Sequence, residues 1–517
     1  MFVATTFEEV HGEALIGKVC TIDRMIFNGH LMSFYPHGSF AAFLARQGVK
    51  LTGFARYVRG ATEALRTHAQ KVADEAGRPY VYMPYVLKGK DDWARDLAKR
   101  DGISSGLIGV LATLEMRDSF GVEGNRRTHM LEVTRRRRKC IHIYFYLIDP
   151  ECGLMHVRLQ TWFPFQIQVY VNGREWLARR LDERGVGYER YDNTFLRIDD
   201  LAVARKLCER LAHRKWPRVL DALARRFNPW LPTIRRFSGA GYYWVIDQCE
   251  IATDLMWRER SGLQAVLPDL FDHALRAFSA DDVMRFLGRR QLHHFEGEVV
   301  SDLKQRPEGR RVKHRVGPNS IKVYDKSSVL RVETTINRPN DFRVYRPVVD
   351  RRGRTSRWQW AAMTKGVANL WRYIQVGRQA NERYLNALAC AVLKGEAVDA
   401  LDGLCQSRTL QGKHYARFNP VTAADSRLFQ AVLAGEHAIN GFRNRDLQAR
   451  LQAMAQTSKR QQCARTSRLI AKLRGHGLIA KVHKHRLYRV TALGHRLMAA
   501  ALYYRHVAFP EGLAKTA

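Results

Sequence analysis

The sequence predicts an α+β, multidomain protein in which helices pack against antiparallel sheets. Three observations carry that prediction. A chain of 517 residues is too long for one simple core. Its 46% hydrophobic and 10% aromatic residues are enough to fold most of it. Between about Gly106 and Leu211 the β-branched and helical patterns follow one another as β-β-α-β-α, which suits helices on one side of an antiparallel sheet.

Residues 1–105 read as a mixed region. His37–Gln47 and Thr62–Ala76 have helical spacing, Arg78–Met83 reads as a strand, and Asp91–Lys99 as a helix. Residues 106–215 form the sheet domain. GLIGVLATLEM, IHIYFYLI and LMHVRLQTWFPFQIQVYV are its strands, separated by turn signals such as Asp149-Pro150. A helix over Glu175–Arg184, a strand over Tyr188–Ile198 and a helix over Leu201–Leu211 complete it. Residues 216–297 read as mainly helical. Within them Asp247, Glu250 and Asp254 recur at spacings of three and four, which on a helix gives one acidic stripe. A divalent ion or arginines from elsewhere would have to meet that stripe.

Residues 298–420 open with an antiparallel meander of three strands, EVVSDLKQ, RRVKHRV with SIKVYD, and VLRVETTI. A basic loop over Arg351–Thr355, a helix over Trp358–Leu393 and an irregular basic stretch over Leu401–Pro420 follow. The last segment, 421–517, has the clearest order. Helices are predicted over Asp425–Ala434, Arg443–Leu451 and Ser458–Arg474. Strands over Leu478–Val482 and Arg486–Val490 flank a basic turn, and Thr491 caps a final helix. Helix-helix-helix-strand-wing-strand-helix is the order of a winged helix. On the third helix Thr466, Leu469, Ile470 and Leu473 share one side, and Gln461, Arg465, Arg468 and Lys472 share another. A recognition helix needs that division, and Lys484 and Arg486 would place the wing near phosphates or the minor groove.

In SRLIAKLRGHGLIAKVHKHRLYRVTALGHRL this segment resembles the winged-helix domains of MarR-type bacterial regulators. The resemblance covers roughly the last 85 residues and implies a DNA-binding fold, with a winged helix used for protein contacts as the alternative. A second, local resemblance lies in IKVYDK followed by VLRVETTI. This stretch is similar to the "Y-D-K…L-R-x-E" segment of rolling-circle replication initiators of the filamentous-phage type. That family cuts DNA with a tyrosine and holds metal on a His-hydrophobic-His strand. No such triplet occurs here, and Tyr373 and Tyr384 lack the matching context.

Charge narrows the function. Lys and Arg total 86 against 50 Asp and Glu, a formal net charge of +36. A polyanion relieves that self-repulsion and gains entropy from its released counterions, so nucleic acid is the expected partner. Arg135, Arg136, Arg137, Arg138 and Lys139 run directly into Ile141–Tyr146, a basic run before an aromatic strand. Such a run either grips a backbone and stacks bases, or is a charged turn before a core strand. Arg311, Lys313 and Arg315 alternate onto one strand face, with Lys322 nearby, as a second expected binding surface. Three carboxylates, Asp302, Asp325 and Glu333, lie among them. They either neutralise those cations or hold Mg²⁺ as catalytic residues.

ATP hydrolysis and nucleotide-cofactor chemistry are disfavoured, because no phosphate-binding glycine loop of the required spacing is present. The eight cysteines are scattered without a C-x-x-C pair, as in reduced core positions. The N-terminal residues lack a leader pattern and no long apolar run occurs, so a cytoplasmic protein without a membrane partner is expected. The first expectation is therefore a non-enzymatic nucleic-acid-binding protein, with DNA ahead of RNA. The alternatives are a Mg²⁺-dependent nuclease or initiator-like enzyme, and an RNA-binding protein.

Overall fold

In Leu15–His30 (β1), Met25, Phe27 and Gly29 are buried while Arg24, Ile26 and Asn28 are not. That period of two gives a strand with one apolar and one polar face. The computed structural model describes residues 6–36, 38–83, 89–288, 298–306, 309–349, 355–389, 401–410, 412–451, 458–482 and 485–510. Lys484, Cys390 and loop residues 351–354 lie outside them.

The strands that follow are Tyr80–Tyr82 (β2), Gly106–Asn125 (β3), Met130–Asp149 (β4), Gly153–Gln160 (β5), Ile167–Asn172 (β6), Tyr188–Tyr191 (β7) and Thr194–Ile198 (β8). Tyr243–Trp257 (β9), Val299–Arg306 (β10), Gly309–Val316 (β11), Asn319–Lys326 (β12) and Val329–Ile336 (β13) come next. Eleven of these make one sheet, ordered β10-β11-β12-β13-β9-β1-β6-β5-β4-β3-β2, while β7 and β8 form a separate hairpin. Among the described residues, only the short β2–β3 pairing is parallel.

The architecture is α+β and multidomain, as expected, but the large sheet draws strands from all four segments between residues 1 and 420. Most of their apolar residues join one core cluster, and a smaller one lies between β3, β4 and the helix Lys90–Arg100. The boundaries expected at 105, 215 and 297 therefore do not separate sheets. The C-terminal segment keeps its own apolar cluster, from Leu404 to Leu502.

Several expected elements need correction. Tyr243–Trp257 lies within a segment read as helical, yet it is a central strand. Its acidic residues mimic a helical stripe. As a strand, β9 turns Glu250 and Asp254 to one face, while a register shift against β1 at Asp247 interrupts the alternation. The meander has four strands rather than three. Thr355–Ala362 is a strand, so the helix expected from Trp358 begins at Leu370. The stretch read as irregular contains a hairpin, Arg408–Leu410 with Lys413–Tyr415. The aromatic strand buries Tyr144, Phe145 and Tyr146, so these rings pack internally and do not form an open stacking surface.

The C-terminal order is helices Ala423–Val432, Gly435–Asn440, Asn444–Leu451 and Lys459–Gly475, strands Ile479–Lys481 and Tyr488–Val490, then helix Ala492–Tyr503. The short helix Gly435–Asn440 was not anticipated. Ser458 caps the Lys459 helix through a reciprocal pair with Gln461, and the Thr491 hydroxyl accepts from Gly494 N–H.

The helix Leu370–Ala389 seats directly on the centre of the sheet. Asn381 donates to Ile251 O at 3.0 Å and Thr253 Oγ1 at 3.2 Å, and accepts from Thr334 Oγ1 at 2.7 Å. A Cβ on Gly377 would meet the Ile251 side chain at 2.7 Å, so this position needs glycine for the close approach. Gly377→Val should push the helix off β9 and lower stability by about 1–3 kcal/mol. A urea unfolding midpoint equal to that of the unaltered protein would refute this seating.

Candidate functional site

Antiparallel register lines charged residues across the strands in rows. One row runs Asp302, Lys313, Lys322 and Glu333 from β10 to β13. The next runs Lys304, Arg311, Tyr324 and Arg331, and ends on Asp254 of β9. A third pairs Thr335 with Glu250 and Glu250 with Arg24. Directly paired residues point the same way, so all three rows share one face.

Asp23 reaches that face through a register shift of β1 against β9 between Ile22 and Arg24. An extra residue in a strand re-aims its side chain, and such irregularities recur beside functional sites. Next to the shift, the helix Gly173–Asp182 begins hard against β1. A Cβ on Gly173 would lie 2.3 Å from Ile22 O. Asn172 caps this helix, accepting from Arg174 N–H at 2.9 Å. The tight approach delivers Arg174 into the sheet.

There Arg174 and Arg331 enclose Asp254, and all three side chains are almost completely buried. Arg331 donates Nε to Asp254 Oδ1 at 2.7 Å and Nη2 to Oδ2 at 2.9 Å, and Arg174 Nη1 lies 2.5 Å from Oδ2. Arg174 Nε also lies 3.2 Å from Asp23. Burial pulls the Asp254 carboxyl upward, but the two guanidinium groups outweigh it and hold the group below the usual range.

Beside this network, oxygens of Asp23, Glu250 and Glu333 lie within 4.8 Å of one another. They border a cleft of about 380 Å³ that Arg24, Tyr170 and Lys322 also line. Lys322 Nζ is 2.5 Å from Glu333 Oε1 and 3.9 Å from Glu250, the Tyr324 hydroxyl donates to Glu333 Oε2 at 2.6 Å, and Arg24 is 3.3 Å from Glu250.

The two glutamates differ in their proton affinity. Burial, then the charge of Glu333, pushes Glu250 up to about 7, against the pull of Lys322 and Arg24. Burial acts upward on Glu333 too, but Lys322, Tyr324 and Arg331 hold it below the usual carboxylate range. Burial and Glu333 together raise the Tyr324 phenol well above its ordinary value, so it serves as a donor. An all-oxygen set of this kind suits a hard divalent cation such as Mg²⁺.

Of the expected trio, only Glu333 joins the carboxylate cluster, although Asp325 also lines the cleft. Asp325 neighbours Tyr324 in sequence and so faces the other way, accepting from Arg310 N–H at 2.8 Å and Gln264 Nε2 at 3.2 Å. Asp302 lies three strands away from Glu333, paired with Lys304 at 3.7 Å and Arg311 at 3.8 Å. Lys322 is bound to the carboxylates and is not an open phosphate contact. Lys313 is half-buried between them and the edge, and Arg315 is exposed. Tyr373 and Tyr384 are core residues, the latter 2.9 Å from His314 Nε2. Asp23 and Arg174 were not anticipated. A polar residue in TIDRMIF and an arginine after Asn172-Gly173 were the only signals for them.

The basic run on β4 divides by parity. Arg135 stacks over Tyr35, Arg136 pairs with Glu123 at 2.5 Å, Arg138 lies over Trp162, and Arg137 and Lys139 are exposed. On the helix Lys459–Gly475, Arg465 and Arg468 are exposed, as is Arg486 beyond it. Lys472 differs from expectation. It lies 3.5 Å from Asp425 and 3.8 Å from the Phe418 ring centre, which ties it to the domain's own core.

Glu250 supplies a test with a definite sign. Folding raises its pKa from 4.5 to about 7. Its contribution to stability is therefore complete below the unfolded value and fades as pH rises through the folded one. In chelator, Glu250→Gln should gain melting temperature relative to the unaltered protein between pH 5 and pH 8. An equal difference at both pH values would contradict the assigned proton.

No protein family, curated protein or solved structure matches this chain.

Proposed function

We propose that this chain binds nucleic acid, DNA ahead of RNA, with the C-terminal unit acting as a winged helix and the basic strands holding the backbone. One observation carries the reading. The helix Lys459–Gly475 exposes Arg460, Arg465, Arg468 and Arg474, and among the described residues none of them has an ion-pair partner. A helix packed by Thr466, Ile470 and Leu473 and lined outside by unpaired arginines is suited to a groove flanked by phosphates. The net charge of +36 supports the same class of partner.

The test titrates the purified chain against duplex DNA, single-stranded DNA and RNA over a salt series. Arg465→Ala with Arg468→Ala should weaken duplex binding and reduce the salt slope by up to about 1.8, or about 0.9 for each phosphate no longer neutralised. Unchanged affinity and slope would remove this helix from the interface. Tighter binding to RNA than to duplex DNA would favour the RNA-binding reading.

A second reading rests on the convergence of Asp23, Glu250 and Glu333 beside Lys322 and Arg24. These residues would hold Mg²⁺, which would polarise a scissile phosphate in a cleft that Arg24 and Lys322 also line. On this reading, Mg²⁺-dependent cleavage of DNA is lost in Glu333→Gln and Asp23→Asn and kept in Asp302→Asn. Cleavage that survives both of the first two substitutions would exclude this centre.

A further inference from the structure

We propose that the outer end of the β3–β4 ribbon is a groove-binding arm that enters the major groove of a B-form duplex. The inference rests on the nucleic-acid reading and gives it a second, separate contact. β5 pairs with β4 only from His142 to Asp149, and β2 pairs with β3 only from Val110 to Ala112. The ladder between β3 and β4 nevertheless continues to Asn125 opposite Met130. Among the described residues, its outer part is two strands wide.

The base of the arm is anchored. Phe120 is buried against Phe40, its N–H donates to Phe163 O at 3.0 Å, and Trp162 Nε1 donates to Phe120 O at 2.8 Å. Beyond Phe120 the ladder runs from Gly121 opposite Thr134 to Asn125 opposite Met130. Val122 and Val133 still pack against the core, so the free section runs from Glu123 opposite Glu132 to the turn, about 10 Å at 3.4 Å per residue. The turn is held in shape. Asn125 Oδ1 accepts from Arg127 N–H at 2.9 Å, and Asn125 Nδ2 donates to Glu132 at 2.8 Å. An ordered arm of this kind loses less entropy on binding than a flexible loop.

Its surface chemistry indicates the partner. Beyond Phe120, residues 121–134 carry Arg126 and Arg127 against Glu123 and Glu132, and the cations Arg135–Lys139 stand at the base of the arm. Arg126 and Arg127 are exposed at the turn, and Met130 and Leu131 beside them are 68% and 41% exposed. Alternation places Arg137 and Lys139 on one face and Arg136 on the other. With its base at the rim of a groove, the ribbon offers the exposed Arg137 and Lys139 to the phosphates there, while its tip, with Arg126, Arg127, Met130 and Leu131, meets base edges and thymine methyl groups. The B-form major groove, about 12 Å wide, admits a two-stranded ribbon, whereas the A-form groove of RNA is too narrow. That mismatch selects duplex DNA.

The test uses the full chain with two double variants, Arg126→Ala/Arg127→Ala and Arg136→Ala/Arg137→Ala, both on exposed positions. Circular dichroism and melting temperature should be unchanged. Each pair should weaken binding to a DNA duplex about tenfold at physiological salt and reduce the salt slope by roughly 1.8. Binding to an RNA duplex of the same length should stay within about twofold, since its groove does not admit the arm. Protection of guanine N7 from methylation should also be lost under the tip. If the unaltered protein binds DNA and both variants match it, the arm proposal fails while the nucleic-acid reading stands. Equal losses on DNA and RNA duplexes also overturn it, because they describe a general cationic surface. If the unaltered protein binds neither duplex nor single strand, both readings fall.

Discussion

The centre of this protein depends on burying Asp254 between Arg174 and Arg331. Three charged side chains withdrawn from water incur a desolvation penalty of several kcal/mol each, which only dense hydrogen bonding and close opposite charge offset. Here Arg331 grips Asp254 with two nitrogens and also donates Nη2 to Asn193 O and Thr194 Oγ1, both at 2.9 Å. The network joins β9, β13, the β7–β8 hairpin and the helix after Asn172. Breaking a buried pair typically costs about 3–5 kcal/mol, because the remaining charge is left uncompensated. Arg174 and Arg331 must therefore keep their places. Asp23, which contacts both, is fixed by the same constraint.

This constraint explains how three carboxylates can stand so close together. Lys322 contacts both Glu333 and Glu250, while Arg24 meets Glu250 from the open side of the cleft. One lysine does not fully neutralise two buried glutamates, so the pair favours a single proton, held by Glu250. A bound divalent cation would take over the role of that proton. Binding a metal at carboxylates displaces protons and strengthens with pH, which couples occupancy of the centre to the ionisation of Glu250.

Local patterns made much of the fold legible, and long-range geometry hid the rest. Alternation in SIKVYD and VLRVETTI revealed strands, and the serine and threonine caps at Ser458 and Thr491 revealed helix starts. β9 misled because its acidic residues fall at helical spacing. The stronger signal was its density of buried apolar residues between them, expected of a strand covered on both sides. Glu333, Glu250 and Lys322 each stood out in the sequence, but their meeting did not. Asp23 depends on a one-residue register shift and Arg174 on a glycine-mediated approach, and neither leaves a periodic trace. Asp325 borders the same cleft, but strand parity turns its carboxylate away from Glu333 and toward Arg310 and Gln264.

The order of strands gives these parts a common logic. β13, β9 and β1, which carry the carboxylates, occupy the middle of the eleven-stranded sheet. The β3–β4 ribbon lies toward one edge. The C-terminal unit packs near the other half, where its helices meet Leu370–Ala389 and Ala280–Phe286. From β4 to β11 is seven strand spacings, on the order of 34 Å at about 4.8 Å each, close to one turn of B-form DNA. A duplex gripped at both ends would cross the acidic cleft between them. On the proposed reading each basic contact alone would be salt-sensitive and weak, but the second would form at a high effective concentration once the first is made. Affinity would then come from the two ends, which frees the cleft from any need to bind tightly. A carboxylate cluster repels phosphate, so it can face a nucleic acid only when binding is secured elsewhere.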